Sequence, residues 1–186
     1  MGKKGIRNLG KLLRKDGVRE NFGKKAYLNL EKIPGYKDAA LVMIYLNLPS
    51  EAPTDELVEL IRKDGKKLCT PITEGNLITP VMIFDDTTYK TGAFGVREPE
   101  KIIKADIDKI DIVITPGLLF DKTGSRCGYG KGCYDLFFQK SNTIKVGLSF
   151  DKQLISAFPT ELHDVKMDYI VTEKGLIACE KQKEIY

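Results

Sequence analysis

Residues 111–138 read DIVITPGLLFDKTGSRCGYGKGCYDLFF. The stretch begins with a short β-branched apolar run at 112–114, which is typical of a strand buried on both faces, and Thr-Pro-Gly ends this run at 115–117. A loop rich in glycine and basic residues follows, and a helical run is predicted over residues 134–139. The predicted order is therefore strand, glycine-rich basic loop and helix.

The loop after this strand has the residues of a phosphate cradle. Alternating glycines allow positive φ and close backbone approach, so that successive amide N–H groups can converge on one anion. The following helix adds unpaired N–H donors and the positive end of its dipole. Arg126 offers a planar fork and Lys131 a compact positive charge, and both are usual partners of phosphate oxygens. These residues favour a nucleoside triphosphate as ligand. The alternating glycines are Gly128, Gly130 and Gly132.

Asp135 lies in the first turn of the predicted helix and is well placed to hold Mg²⁺ against a bound phosphate. The same stretch also fits a simpler interpretation, a glycine-rich turn that feeds a helix, with Arg126 and Lys131 merely solvated. Glycine alternation does not decide between the two interpretations, because the string is neither the P-loop nor the dinucleotide fingerprint.

Length and composition predict a single soluble domain over residues 1–186. Hydrophobic residues make up 42% of the chain and charged residues 30%, and no apolar run approaches the roughly 20 residues of a membrane span. The basic beginning lacks the apolar stretch of a secretory signal. We therefore expect a cytoplasmic protein that has no membrane partner.

The net charge of +4 is mild, but the basic excess is concentrated in the first quarter of the chain. Such a cluster could bind RNA, yet no aromatic-rich binding motif accompanies it. The alternative is a solvated basic helix face, part of it turned towards a nucleotide, and on this basis we expect no nucleic-acid partner. The basic residues are Lys3, Lys4, Arg7, Lys11, Arg14, Lys15, Arg19, Lys24 and Lys25.

The four cysteines have no C-x-x-C spacing, and a single histidine, His163, gives no zinc set. We therefore predict free thiols. Cys127 and Cys133 flank the glycine-rich loop, but a nucleophilic cysteine is disfavoured because no second histidine is available to form a catalytic pair.

The rest of the chain alternates predicted strands with predicted helices. Residues 3–20 carry an apolar stripe from Ile6 to Val18 opposite basic residues, which indicates a helix. A strand at 39–46, a helix capped by Thr54 and a strand at 66–70 imply a parallel pair with a right-handed crossover. Further strands are predicted at 77–84, 143–150 and 170–172. About six strands and four or five helices predict an α/β domain, with a mostly parallel sheet and helices on both faces.

Glu51 follows the strand at 39–46. In a parallel sheet the loop after a strand lies at the carboxyl edge, where ligands bind, so Glu51 and the glycine-rich loop are expected on the same edge. Its carboxylate could accept hydrogen bonds from ligand N–H groups there, or it could be a helix-capping or surface glutamate.

Residues 120–135, F-D-x-x-G-x-R-x-G-x-G-K-G-x-Y-D after T-P-G, closely resemble the signature of the 5-formyltetrahydrofolate cyclo-ligase (methenyltetrahydrofolate synthetase) family. Other segments resemble the family in the same order. The start resembles K-x-x-L-R, residues 45–54 resemble Y/F-x-S-x-x-x-E-x-x-T, residues 92–99 resemble G-x-F-G-I-x-E-P, and residues 159–168 resemble P-x-x-x-H-D-x-x-V/M-D. The resemblance extends from residue 3 to residue 168.

This resemblance implies a three-layer α/β/α fold of the type shared with sugar-phosphate isomerases and CoA transferases. It also implies an ATP-dependent enzyme that cyclises 5-formyltetrahydrofolate to 5,10-methenyltetrahydrofolate, with ATP as co-substrate and Mg²⁺ as metal. We expect a monomer whose partner is this small-molecule folate, with or without a polyglutamate tail.

The resemblance and the loop chemistry together predict the site. Arg126 and Lys131 are the predicted catalytic residues, Asp135 and Asp164 the predicted metal ligands. Predicted nucleotide-binding residues are Lys3, Lys4, Ile6, Arg7, Arg126, Gly128, Gly130, Lys131, Gly132 and Tyr134. Predicted folate-binding residues are Leu46, Glu51, Tyr129, Gly130, Lys131, Gly132 and Cys133.

Three positions of the loop depart from the family pattern. Cys127 stands where leucine is usual and Cys133 where tyrosine is usual, while Tyr129 fills a variable position. The glycine, basic and acidic positions stay intact, so the departures affect packing or substrate contacts more than phosphate chemistry. Two other functions remain open, an ATP-dependent enzyme of the same fold that acts on a non-folate compound, and a non-catalytic RNA-binding domain.

Overall fold

The computed structural model describes residues 2–92, 95–161 and 164–179, which contain four α-helices and twelve β-strands. The helices are α1 (Lys3–Lys15), α2 (Phe22–Leu30), α3 (Asp55–Lys63) and α4 (Cys133–Phe138). The strands are β1 (Leu41–Ile44), β2 (Lys67–Glu74), β3 (Leu77–Ile83), β4 (Tyr89–Thr91), β5 (Arg97–Pro99), β6 (Ile112–Thr115), β7 (Leu119–Asp121), β8 (Arg126–Cys127), β9 (Ile144–Leu148), β10 (Leu154–Ile155), β11 (Tyr169–Val171) and β12 (Leu176–Ala178).

A seven-stranded sheet in the order β12-β11-β9-β6-β1-β2-β3 forms the centre of the fold. The five inner strands are all parallel to one another. The two outer strands, β3 and β12, pair with their neighbours in the antiparallel sense. The mostly parallel sheet is therefore confirmed. Since parallel strands point the same way, the loops after β1 and β6 leave the sheet at one edge.

Alternate side chains of the inner strands lie on opposite faces of this sheet. On β1, Val42 and Ile44 pack with the helices α2 and α3, whereas Met43 packs on the other face with Phe137 and Phe138 of α4. All four residues of β1 are buried, as are all four of β6, which explains their continuous apolar sequence. Burial of each such aliphatic side chain contributes about 1.5–3 kcal/mol to the free energy of folding. Helices on both faces confirm the predicted three-layer arrangement.

Two small sheets were not predicted from the sequence. One is the β4-β5 hairpin, and the other has the order β10-β7-β8. β7 and β8 lie inside the stretch that we interpreted as a continuous loop, and they pair with each other in the antiparallel sense. Strands of three and two residues are too short to show alternation in the sequence. The glycine-rich loop therefore begins at the end of a hairpin rather than directly after the central strand.

The buried side of α1 also differs from the predicted apolar stripe. Ile6, Gly10 and Arg14 are buried on it, whereas Val18 lies beyond the helix and is 46% exposed. A Cβ at Gly10 would stand 2.8 Å from the carbonyl oxygen of Leu118, so glycine is needed for α1 to approach this segment. Gly10 thus permits close contact between α1 and the segment of Leu118. Within the described residues, no helix has the length and apolarity to cross a membrane.

Candidate active site

A cavity of about 610 Å³ opens where β1, β2 and β6 end. Such a volume suits a small-molecule ligand. The cavity brings together most of the predicted site residues. They are Ile6, Arg7, Leu46, Glu51, Arg126, Gly128, Tyr129, Gly130, Lys131, Gly132, Cys133, Tyr134, Asp135 and Asp164.

Two predicted nucleotide-binding residues are not in this set. Lys4 is exposed and does not line the cavity. Lys3 opens α1, and its side chain lies outside what the structure describes. His163, the single histidine, also lies outside the described residues.

Asp121 builds the turn of the β7-β8 hairpin. The side chain is buried, and its Oδ1 accepts hydrogen bonds from Thr123 N (2.9 Å), Thr123 Oγ1 (2.7 Å) and Ser125 N (3.0 Å). Lys166 Nζ donates to the two hydroxyls, at 2.7 Å to Thr123 and 2.9 Å to Ser125. This aspartate of the motif is therefore structural, and the turn that it fixes sets where Arg126 begins β8.

The glycine-rich loop adopts left-handed backbone at Gly130 (φ 95°) and Gly132 (φ 67°), as predicted. Gly128 does not adopt a positive φ. Its lack of a side chain has another use, because a Cβ there would stand 2.9 Å from an Arg126 guanidinium nitrogen. A Cβ at Gly130 would stand 2.5 Å from Arg7 Nη2. The glycines thus let two arginines approach the loop backbone.

Arg126 and Asp135 form an ion pair, with Nη2 and Oδ2 3.1 Å apart. Both side chains are largely buried, and Asp135 Oδ1 also accepts a hydrogen bond from Val165 N at 3.1 Å. The guanidinium carbon lies 5.2 Å from the centre of the Tyr134 ring. The buried Nε of Arg126 has no hydrogen-bond partner among the described residues. We had predicted separate ligands for this arginine and this aspartate, but here they contact each other.

The carboxylates of Asp135 and Asp164 face the same cavity, and their chemistry fits Mg²⁺. Asp164 Oδ2 accepts a hydrogen bond from Glu161 N at 2.7 Å. Carboxylate oxygens have two lone pairs, so a hydrogen bond leaves each of them able to coordinate a cation. Among the described residues no group of three or more acidic, cysteine or histidine side chains could hold a metal. One or two carboxylates with phosphate oxygens and waters is the usual set for Mg²⁺ at a nucleotide.

Glu51 is paired with a cation that the sequence analysis missed. Its Oε1 lies 3.0 Å from Arg14 Nη2, and both side chains are buried. Its Oε2 accepts the backbone N–H of Leu48 at 2.9 Å. In the sequence, Arg14 looked like one of many solvated basic residues. Its spacing of four from Gly10 and eight from Ile6 was the available signal, because this spacing puts all three on one helix face.

The loop that carries Glu51 is fixed by Thr54 and Tyr45. Thr54 is the N-cap residue of α3, as predicted, but its side chain makes no capping hydrogen bond. Its hydroxyl instead donates to Tyr45 O at 2.9 Å and contacts Asn47 Oδ1 at 3.0 Å. Tyr45 Oη donates to Ala52 O at 3.0 Å. Burial raises the pKa of Tyr45 well above its ordinary value, and the Glu51 carboxylate raises it further. Burial also raises the pKa of Tyr134, so both phenols stay neutral beside the cavity.

All four cysteines are free thiols, as predicted. Cys127 and Cys133 line the cavity, and Cys133 Sγ lies 3.9 Å from Gly75 O. Burial raises the pKa of the Cys69 thiol to about 12.

Comparison with known proteins identifies the family. A model of the 5-formyltetrahydrofolate cyclo-ligase family matches residues 7–173. The chain belongs to this family. It is 32% identical over 163 residues to the 5-formyltetrahydrofolate cyclo-ligase of Saccharomyces cerevisiae, covering 73% of this chain and 77% of the relative. It is 26% identical over 162 residues to the enzyme of that name from Escherichia coli K12, covering 82% and 88%.

Solved structures agree with this assignment to the cyclo-ligase family. The NMR structure of the 5,10-methenyltetrahydrofolate synthetase of Aquifex aeolicus superposes with a TM-score of 0.83 at 28% identity, over 100% of this chain and 97% of that one. A 5,10-methenyltetrahydrofolate synthetase from Mycoplasma pneumoniae gives a TM-score of 0.74 at 18% identity, over 93% and 99%, which supports the fold alone.

Proposed function

We propose that this member of the cyclo-ligase family catalyses the ATP-dependent cyclisation of 5-formyltetrahydrofolate to 5,10-methenyltetrahydrofolate, with release of ADP and phosphate. Family membership and the names of the relatives support cyclo-ligase activity. The observation that carries the proposal is that one cavity joins the basic glycine-rich loop to the loop of Glu51. A phosphoryl donor and a substrate with several N–H groups could therefore meet there.

The chemistry of this reaction requires a phosphate site. The N5 formyl group resembles an amide, and ring closure needs N10 to attack its carbon and its oxygen to leave. Hydroxide is a poor leaving group. Transfer of the γ-phosphoryl group from ATP to the formyl oxygen releases ADP and converts that oxygen into part of a good leaving group. N10 then forms the new C–N bond and loses its proton, the C–O bond breaks, and phosphate departs. No protein nucleophile is needed.

The phosphate side would use the glycine-rich loop, because catalysis of phosphoryl transfer is mostly positioning and charge stabilisation. Arg126 and Lys131 would contact the phosphate oxygens, and backbone N–H groups of residues 128–132 would complete the cradle. Arg7, at Gly130, would close this side from α1. The phosphate groups of a bound nucleotide would compete with the Asp135 carboxylate for the Arg126 guanidinium. Asp135 and Asp164 would hold Mg²⁺, which neutralises charge on the transferring group.

The folate side would use the loop after β1. Glu51 would accept hydrogen bonds from N–H groups of the pterin ring, and its ion pair with Arg14 holds the carboxylate in place. Leu46 and Cys133 would supply apolar surface, and the Tyr129 ring would pack against the flat substrate.

We also infer a monomeric cytoplasmic enzyme whose small-molecule substrate is a folate, with or without a polyglutamate tail. Nucleic-acid binding is disfavoured because two of the candidate basic residues make internal contacts. Arg14 is buried against Glu51, and Arg19 Nη1 donates to Glu51 O at 2.9 Å.

The test is a spectrophotometric assay of the purified protein with 5-formyltetrahydrofolate and Mg²⁺, with and without ATP. The proposal predicts a rise in the ultraviolet absorbance of the methenyl product that requires ATP and is matched by ADP, mole for mole. A protein that binds ATP but produces no rise would refute the folate assignment and favour a non-folate substrate.

A further inference from the structure

Arg14 joins three segments of the chain at the edge of the cavity. It lies in the last turn of α1 and is 2% exposed. Its Nε donates to Ser50 O at 3.0 Å, its Nη1 donates to Tyr129 Oη at 2.8 Å, and its Nη2 lies 3.0 Å from Glu51 Oε1. One guanidinium thus holds the loop after β1 and the glycine-rich loop against the first helix.

The position of the Tyr129 side chain depends on its contact with Arg14. The residue is 53% exposed and stands between two glycines, so packing restrains it weakly. The Arg14 guanidinium donates a hydrogen bond to the phenol oxygen, and its central carbon lies 5.6 Å from the centre of the ring. An anchored hydroxyl and a cation over the ring fix the plane in which the ring can lie.

Glu51 is oriented by the same group. The carboxylate has the Leu48 N–H on Oε2 and Arg14 on Oε1, so both oxygens are held in place while lone pairs remain for a ligand. A lysine in place of Arg14 could not contact all three oxygens, because the guanidinium is a fork of fixed geometry and an ammonium is a compact point charge.

We propose that Arg14 is a positioning residue that sets the Glu51 carboxylate and the Tyr129 ring together as one wall of the folate side of the cavity. The inference rests on the proposed function for the identity of the ligand. Arg14 itself does not line the cavity, so it acts through its two partners. Substrate affinity, rather than the rate of phosphoryl transfer, should therefore respond to its loss.

The experiment compares Tyr129→Phe, Arg14→Lys and the double variant in steady-state assays. Tyr129→Phe should raise the KM for 5-formyltetrahydrofolate about five- to tenfold, with kcat and the KM for ATP within about twofold of wild type. Arg14→Lys should raise the folate KM by about tenfold or more. The double variant should match Arg14→Lys alone, because the hydroxyl acts through the guanidinium.

Tyr36→Phe is the matched control. It also removes a phenol hydroxyl from a hydrogen bond, Tyr36 Oη to Asp64 Oδ2 at 2.6 Å, but neither residue lines the cavity. A purely structural loss lowers the folded fraction and hence the apparent kcat, and it leaves KM unchanged. Tyr36→Phe should therefore lower the midpoint of urea unfolding without changing the folate KM.

Multiplicative effects in the double variant, or a fall in kcat alone, would overturn the inference and leave the proposed reaction intact. Titration of the folate into the ATP-free protein distinguishes failure of this inference from failure of the proposed reaction. Wild-type protein that binds the folate but makes no product would refute the reaction, and the same variants then test the inference through the folate Kd. Wild-type protein that binds no folate would overturn both. If Arg14→Lys fails to fold, Tyr129→Phe tests the same link at a half-exposed side chain.

Discussion

Replacing Glu51 by glutamine removes the negative charge from a buried ion pair at the edge of the cavity, and the side chain keeps nearly the same shape. Arg14 and Glu51 side chains are 2% and 8% exposed, with 3.0 Å between Nη2 and Oε1. Removing one partner of a buried pair typically costs about 3–5 kcal/mol, because the other charge stays buried without compensation. The glutamine oxygen can still accept one hydrogen bond, and Arg14 keeps Ser50 O and Tyr129 Oη. We therefore expect a loss near the lower limit, about 3 kcal/mol.

The assay is urea unfolding at neutral pH. With a denaturant slope of about 1–3 kcal/mol per molar, this loss shifts the midpoint by about 1 M or more. Glu59→Gln is the matched control, since Glu59 pairs with Arg62 at 2.9 Å but is 62% exposed, and it should cost less than about 0.5 kcal/mol. Glu51→Gln should also weaken folate binding more than ATP binding. Equal midpoints for the two variants would refute the stabilising role of the buried ion pair. An unchanged folate affinity would show that Glu51 does not contact the substrate.

Three other perturbations test single residues. Lys131→Ala should lower turnover about 10²–10³-fold in the absorbance assay, whereas Lys122→Ala, at another exposed lysine, should not; normal turnover would remove Lys131 from the mechanism. Asp121→Ala deprives three donors of their acceptor and should cost about 2–4 kcal/mol in urea unfolding; a loss below about 0.5 kcal/mol would contradict its role in the turn. The pKa of Cys69 is raised from 9.0 to about 12, so its contribution to stability is complete below pH 9 and declines from there towards pH 12. Cys69→Ala should flatten the alkaline fall of the urea midpoint, and equal slopes would contradict the raised pKa.

The sequence predicted the sheet because its inner strands are continuous apolar runs. The strands β1 and β6 are buried on both faces. The helix α3 between β1 and β2 indicated a parallel pair with a crossover connection. The same rule put Glu51 and the glycine-rich loop on one edge of the sheet. It could not predict β7 and β8, whose pairing stems from the turn built by Asp121 and not from any alternation of residues.

The charged pairs of the site were harder to predict. Arg14 bonds to Tyr129, 115 positions away, and no local pattern separates a buried arginine from a solvated one. Arg126 and Asp135 were assigned to different ligands, although opposite charges in a largely buried place stabilise each other. The sequence thus identified residues that line the cavity, but only the fold revealed which of them contact one another.

The most direct test of the proposed chemistry follows the formyl oxygen. The protein is supplied with ATP, Mg²⁺ and 5-formyltetrahydrofolate labelled with ¹⁸O in the formyl group, and the inorganic phosphate is examined by mass spectrometry. If the cavity transfers the γ-phosphoryl group to this oxygen, each phosphate released with the methenyl product carries one ¹⁸O. Product formed with unlabelled phosphate, and with the label in water, would contradict phosphorylation of the formyl group and the role assigned to the glycine-rich loop.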